Sequence, residues 1–401
     1  MNDAFIYDHV RTPRGKGRAS GALHEVTPIK LASQVLRQLH QRNQFDADAI
    51  DDVGFGIVMP IGEQGADLTR SALLDAGYGN SVPGYQLNRF CTSSLDTLNQ
   101  GVASIMAGIN SSFISGGVES MSRVAIGSDG GACYSDPQVL RDFPYMPNGV
   151  AADLMATLNS FTRHDIDTYA AQSQQRAAHA QAQGRFDKSL IEVLDVNGQV
   201  LLAKDEALRP TTTVESLTKL KPVFGGLGEL GYDSIAKQRY PQLERIEHIH
   251  TSGNSSGIVD GASAVLVGSA EYGVINGLKP RARIRHFSQI ASEPLLSLNG
   301  PIPATEKLLK AAKMTIADID LFEINEAFAV VPLTYMQHFN LDDSIVNVNG
   351  GAIALGHPLG ATGTMLVGTV LDELERQGLA TAIVTLCAAS GQATATLIER
   401  I

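Results

Sequence analysis

Three residues able to act as nucleophile or proton carrier stand in distinctive surroundings in this chain. His357 lies in N-V-N-G-G-A-I-A-L-G-H-P-L-G-A-T-G, residues 347–363, followed by Pro358 and framed by Gly350, Gly351, Gly356, Gly360 and Gly363. Glycine permits φ > 0 and close approach of main chain or ligand, so the stretch describes a tight shelf presenting one imidazole. Cys91 sits in L-N-R-F-C-T-S-S-L, directly before an apolar helix pattern. Free N–H groups and the helix dipole there lower a thiol pKa and make it a better nucleophile. Cys387, in V-T-L-C-A-A-S-G-Q, ends an apolar strand, a position that points into a crevice in α/β folds. A neutral imidazole can take the proton from a thiol and then stabilise charge on a carbonyl oxygen. A second thiol beside an acylated one is suited to removing a proton α to a thioester.

Each of these residues also has a structural reading. A single cysteine is often a small core residue, and a histidine a satisfied buried group. Polar company (Asn88, Arg89, Thr92, Ser93, Ser94) favours chemistry at Cys91, and the glycine frame favours it at His357. Asn325-Glu326 follows an apolar strand and can position a water or a carbonyl oxygen. Alternatively, Glu326 caps the next helix and Asn325 serves a turn. H-T-S-G-N-S-S-G, residues 250–257, reads as a backbone-rich turn for an amide- or phosphate-bearing ligand, or as an exposed flexible turn.

Composition narrows the setting. The chain has 401 residues, 44% hydrophobic and 18% charged, which implies two or three packed domains. A net charge of -11 without any Lys/Arg cluster argues against nucleic acid as the main partner. Cys91, Cys133 and Cys387 form no C-x-x-C pair, so neither a disulfide framework nor a zinc site is expected, and a reducing compartment is. The start shows no signal-peptide pattern, no apolar run is long enough for a membrane span, and I-E-R-I is not a peroxisomal tripeptide; the expected location is the cytoplasm.

Positioning these residues requires strands alternating with helices. Ala4–Val10, Val53–Met59 and Ser112–Val118 read as buried strands, and Tyr85–Phe90 as an extended segment ending at Cys91. A helix opening at Thr27-Pro28 carries Leu31, Val35, Leu36 and Leu39 on one face; Thr69–Asp75 and Leu95–Met106 are further helices. The pattern recurs: A-I-D-D-V-G-F-G near Ile50 resembles D-I-D-L-F-E-I-N near Ile319, a spacing of 269. The Cys91 turn and helix then match the His357 turn and helix, Phe113–Val118 matches Ala382–Leu386, and the strand near Phe5 matches Ala282–Phe287. Two copies of an α/β unit follow, with parallel sheets covered by helices. Between them lies an insertion: a loop over Gly127–Gly149, a helix from Thr162 to about Gln183, and mostly turns over Leu208–Gly231. Residues 248–267 return through a Gly/Ser turn to a small-residue helix and a strand.

Taken together, N-R-F-C-T-S-S, G-G-V-E-S-M-S-R, G-N-S-S-G-I-V-D-G-A, N-E-A-F-A, the His357 stretch and the C-terminal cysteine resemble the motifs of the thiolases, in that family's order. The resemblance implies an α/β fold of two duplicated halves, each a mixed, mainly parallel sheet covered by helices, with an inserted loop domain. The divisions are 1–120 completed by 251–272, the coenzyme A-binding insertion 121–250, and 273–401. It implies ping-pong acyl transfer between coenzyme A thioesters. Cys91 would be the acylated nucleophile, activated by His357, and Cys387 the base in condensation and the acid in cleavage. Asn325 would hold a catalytic water and, with His357, form one oxyanion hole; the backbone N–H groups of Cys91 and Ala389 would form the second. Arg209, Ser216 and Ser256 match the family's coenzyme A contacts. Thiol and imidazole chemistry of this kind needs no metal or other cofactor, the family implies a homodimer or homotetramer, and the charge and the lack of a long apolar run leave neither nucleic acid nor membrane as an expected partner.

Three departures from the family pattern bear on activity. Cys387 is followed by Ala388-Ala389-Ser390-Gly391 where glycines are usual; if position 389 needs φ > 0, an alanine costs about 1 kcal/mol or more. Thr92-Ser93-Ser94 follows Cys91 where a nearby glycine is usual. Pro147-Asn148-Gly149 stands where short-chain biosynthetic members carry His-Met before a glycine. The last favours a degradative 3-ketoacyl-CoA thiolase with a larger acyl pocket over an acetoacetyl-CoA-forming enzyme. A non-catalytic thiolase-like acyl-CoA binder is the alternative of a different class. No role is assigned to Cys133.

Overall fold

The structure is a computed structural model that describes residues 2–143 and 145–401; Met1 and Pro144 lie outside the described residues. Its strands are β1 (Phe5–Arg11), β2 (Gly15–Lys16), β3 (Asp52–Gly56), β4 (Tyr85–Leu87), β5 (Ser112–Ser120), a hairpin of β6 (Val193–Leu194) and β7 (Val200–Leu202), β8 (Val259–Gly268), β9 (Ala282–Ala291), β10 (Leu321–Ile324), β11 (Thr381–Ala388) and β12 (Gln392–Arg400). The longer helices are α1 (Pro28–Asn43), α2 (Leu68–Ala76), α3 (Ser93–Met106), α4 (Asn148–Leu158), α5 (Arg163–Ala182), α6 (Pro301–Ala312), α7 (Val330–Phe339) and α8 (Thr362–Gln377).

The strands form one mixed sheet in the order β10-β11-β12-β9-β1-β8-β5-β3-β4, with β2 paired to β8. Pairs β3·β4, β3·β5 and β10·β11 are parallel, whereas β5·β8, β8·β1, β9·β12 and β11·β12 are antiparallel. The two halves meet along the short pairing of Phe5 and Ile6 with Arg283 and Ala282. The duplication is metrical: β3, α3 and β5 begin at 52, 93 and 112, and β10, α8 and β11 at 321, 362 and 381, a constant spacing of 269 (321 − 52, 362 − 93, 381 − 112).

Strand alternation sorts the core into layers. On β8, Ala262, Ala264 and Leu266 pack under α1 with Leu31, Val35 and Leu36. Val265 and Val267 face the other way, toward Leu95, Leu98 and Val102 of α3 and Leu366, Val367 and Val370 of α8. Val384 and Leu386 of β11 close that middle layer from the far side, and Ile383 and Leu397 pack outward against Leu308 and Tyr335. Each buried Leu, Ile or Val contributes about 1.5–3 kcal/mol, so the helix pair between the half-sheets is what welds them.

Several expectations are corrected. The strand expected at Val53–Met59 stops at Gly56, because Val58 and Met59 turn their N–H groups onto the Glu119 carboxylate instead of a ladder partner. The small-residue helix expected after the Gly/Ser turn is instead the ten-residue strand β8. Its residues are small because the entry to α8 presses on it: the Ser263 hydroxyl donates to Ala361 O at 2.8 Å. The loop expected over 127–149, part of which (Pro144) lies outside the described residues, holds short helices at Ala132–Ser135 and Pro137–Asp142. The turns expected over 208–231 include helical turns at Val214–Leu217 and Gly225–Leu227. Helix α4 escaped the sequence reading because it is buried nearly all round and shows no amphipathic stripe. Helix α5 starts as expected, with Thr162 and Asp165 forming a reciprocal cap.

Candidate active site

The site forms where two duplicated helices point their first turns at each other. Cβ atoms added at Gly56 and Gly363 would lie 2.4 Å from Gly360 O and 2.5 Å from Leu95 N, so neither position has room for a side chain. The Thr364 N–H donates to Ser94 Oγ at 3.2 Å across this seam. Cys91 stands two residues before α3, after Phe90, whose φ of 48° bends the chain into the helix. Around it, Arg89 N–H donates to Ser93 Oγ (2.8 Å) and the Arg89 guanidinium pairs with Asp96 (2.8 Å).

His357 enters α8 five residues ahead of Thr362. Its backbone N–H donates to Gly257 O at 2.9 Å, which ties the main chain carrying the imidazole to the 250–257 turn. The Thr362 hydroxyl donates its one proton to Pro358 O (2.9 Å), so its oxygen accepts from His357 Nδ1–H at 2.6 Å. That fixes the tautomer: Nε2 carries the lone pair, and Asn325 Nδ2 donates to it at 3.3 Å. Burial and the Arg14 guanidinium lower the imidazole pKa to about 3, so it rests neutral. Asn325 Oδ1 is buried without a protein partner, as an atom that would bind a water or a ligand proton.

Both thiols are buried, and Cys91 retains 8% exposure. Burial, reinforced by the Glu119 carboxylate, pushes the Cys91 thiol up to about 12, outweighing the lowering by its own backbone N–H. The sequence expectation of a lowered Cys91 pKa is therefore reversed: desolvation penalises the thiolate more than the helix terminus favours it. Cys387 is also raised, first by burial and then by the charge of Cys91.

Two buried glutamates that the sequence reading left without this role hold the site together. Glu119, at the end of β5, accepts from Val58 N (2.9 Å), Met59 N (3.2 Å), Gln64 Nε2 (2.7 Å) and, across the seam, Gly360 N (2.8 Å). Glu326 does not cap α7, which starts at Val330. It accepts instead from Tyr169 OH (2.9 Å), Ser173 Oγ (2.7 Å), Asn347 Nδ2 (3.2 Å) and Ile353 N (3.1 Å), binding the His357 loop to α5. The signal available in sequence was an acid at the inner end of an apolar strand, in G-G-V-E-S and F-E-I-N-E.

Ala389 is not among the residues with positive φ, so the strain expected there is absent; the left-handed conformations fall on Ser390 (62°) and Gly391 (76°). Of the expected coenzyme A contacts, Arg209 lines a narrow cleft with Gln174, Thr212, Leu217, Ser252 and Gly257. Ser256 lies beside it in the same turn, its N–H on Ala327 O. Ser216 is exposed, and its hydroxyl donates to Thr213 O in a local cap.

Among the described residues, no helix is long and apolar enough to cross a membrane, and no group of three or more His, Cys, Asp or Glu is arranged to hold a metal ion. The N-terminal domain of thiolase matches residues 4–231 and the C-terminal domain of thiolase residues 278–400. A 3-ketoacyl-CoA thiolase of Colwellia psychrerythraea is 37% identical over 409 aligned residues, spanning 100% of both chains. One from Saccharophagus degradans is 36% identical over 410, spanning 100% of this chain and 98% of the relative. The crystal structure of a Bacillus anthracis acetyl-CoA acetyltransferase superposes with TM-score 0.87 at 30% identity, covering 100% of this chain and 99% of that one.

Proposed function

The chain belongs to the thiolase family of acyltransferases acting on coenzyme A thioesters, and from that premise we propose that it is a 3-ketoacyl-CoA thiolase of fatty acid degradation. The observation that carries this reading is the neutral imidazole of His357, its Nε2 lone pair aimed into the site by Thr362 and accompanied by Asn325. Nε2 takes the Cys91 proton as the sulfur attacks the 3-keto carbon; because both groups rest neutral, proton transfer and attack are coupled. The C2–C3 bond breaks, the shortened acyl group stays on Cys91, and Cys387 protonates the departing acetyl-CoA carbanion. The Cys387 thiolate then takes the coenzyme A thiol proton as that sulfur attacks acyl-Cys91; the Cys91 sulfur leaves, recovers its proton from His357, and the shortened acyl-CoA is released. The developing oxyanions are met by His357 Nε2–H with the Asn325-held water, and by the N–H groups of Cys91 and Ala389.

Arg209 and Ser256 flank the cleft that receives coenzyme A, with Ser216 at its rim, and coenzyme A is substrate rather than cofactor. The division into 1–120 with 251–272, 121–250 and 273–401, the homodimeric or homotetrameric state and the cytoplasmic location belong to the same proposal. Formation of acetoacetyl-CoA is the second reading, favoured by the likeness to the acetyl-CoA acetyltransferase. Steady-state rates with acetoacetyl-CoA and with a long-chain 3-ketoacyl-CoA decide between them: turnover of the four-carbon substrate alone overturns the degradative reading. Trapping acylated Cys91 by mass spectrometry rejects a purely binding role.

A further inference from the structure

The turn that carries the Ala389 N–H is held by a second segment, residues 292–297, which the mechanism above does not use. The Ser292 N–H donates to Gly391 O at 2.8 Å, and the Ser292 hydroxyl, with one proton to give, lies 2.8 Å from Asn299 Oδ1 and 2.9 Å from Gly391 O. The Gly391 N–H donates to Ser297 O at 3.2 Å, and the Ser390 N–H to Ser297 Oγ at 3.1 Å. Gly391 has no room for a side chain, since an added Cβ would lie 2.8 Å from Ser292 O. Ser297 is fully buried and itself sits at φ 52°, facing Ser390 at φ 62°. Two non-glycine residues in the left-handed region persist only where their surroundings over-determine them, and they recur where function needs a fixed geometry.

The direction of the Ser297 hydroxyl is set from the inserted segment. A serine hydroxyl has one proton, and this one goes to Asn148 Oδ1 at 2.9 Å, which leaves a lone pair for the Ser390 N–H. Asn148 is the first residue of α4, so a chain of two hydrogen bonds runs from that helix to the peptide next to Ala389. We propose that Ser297, with its hydroxyl oriented by Asn148, is a positioning residue that holds the Ala389–Gly391 turn so that the Ala389 N–H meets the thioester oxygen. The inference rests on the thiolase reading of the site. Ser297 touches no reacting atom; it fixes a donor whose contribution grows as charge develops on the oxygen, so it acts on kcat and leaves ground-state binding of coenzyme A unchanged.

The test is Ser297→Ala, read by steady-state kinetics, by the rate of Cys91 acylation in mass spectrometry and by thermal melting. Expected is a fall in kcat of about ten- to a hundredfold, with KM for coenzyme A within about twofold of wild type. Adding Ser390→Gly, which reaches the left-handed region without help, recovers most of that loss, whereas a merely structural defect would not be repaired there. Asn148→Ala, which leaves residue 297 in place, gives a smaller fall of the same kind and serves if Ser297→Ala does not fold. An unchanged kcat in both single variants, or kcat and KM moving together with no recovery from Ser390→Gly, overturns the inference. If the wild-type protein itself forms no acyl-Cys91, the thiolase reading falls and takes the inference with it; if it does and Ser297→Ala acylates as fast, the inference alone falls.

Discussion

The entries to α3 and α8 occupy the same place in the two copies of the fold and do opposite work. The first copy puts a thiol two residues before its helix; the second puts an imidazole five residues before its own, on a glycine-rich detour. Each is supported by a buried glutamate, but Glu119 reaches across the seam to Gly360, whereas Glu326 stays within its half and reaches out to α5 of the insertion. The difference teaches that duplication supplied two equivalent helix mouths, and that the chemistry arose from making them unlike and pressing them together. The Cys91 thiol and the His357 imidazole come from different copies, so the proposed site exists only once the halves have docked.

The strongest way to break the comparison is to remove one side of it. Cys91→Ala is expected to lower kcat at least about a thousandfold and to abolish the acyl-enzyme in mass spectrometry, while His357→Ala costs about 10²–10⁴-fold. If the acyl group is still found with Cys91 gone, the thiol of the first copy is not the nucleophile.

Thr362→Val sharpens the other side. Without the hydroxyl that accepts from Nδ1–H, the imidazole no longer holds its lone pair on Nε2, and kcat falls about ten- to a hundredfold while the melting temperature changes little. Kinetics and calorimetry on one preparation check both halves of that statement.

Glu119→Gln tests the seam. It leaves buried N–H donors facing an amide and destabilises the protein by about 2–3 kcal/mol, measured by urea unfolding. The carboxylate also raises the Cys91 pKa, so its loss moves the pH profile of Cys91 alkylation to lower pH. A shift to higher pH contradicts the assignment.

The smallest effect belongs to the insertion. His248, bonded to Asp153 (2.7 Å) and Asp233 (3.2 Å), is raised to about 9, chiefly by the Asp153 hydrogen bond. A folded pKa above the unfolded one gives stability that is complete below about pH 6.5 and lost as pH rises through 9. The melting temperature should fall by roughly 2 °C more between pH 7 and 9.5 in wild type than in His248→Gln.

Much of the site was legible in the sequence because the signals were local. Glycines around His357, an apolar helix after Cys91 and an acid-amide pair after a strand each report a backbone requirement of a few residues. The spacing of 269 was legible because both copies kept the same distances between the starts of their elements. What escaped depended on neighbours distant in the chain. The start of strand β8 read as a small-residue helix, since its small residues answer to α8 packed against it; α4 went unread, since burial on nearly every side erased its periodicity. Glu119 drew no reading of its own and Glu326 read as a helix cap or a water-positioning group, because their partners lie in other elements.

Sequence alone determined the chemistry on offer: two thiols, one imidazole framed by glycines, one carboxamide at a strand end, and a duplicated α/β scaffold able to present them. Only the tertiary structure decided how that chemistry is poised. Burial raised the Cys91 thiol against the pull of its helix, Thr362 selected the His357 tautomer, and Ser390 and Gly391 rather than Ala389 took the left-handed backbone. The physical reason is that desolvation, proton placement and turn strain are set by which atoms surround a group in space, and those atoms come from segments far apart in the chain, as in the Thr364–Ser94 contact across 270 residues.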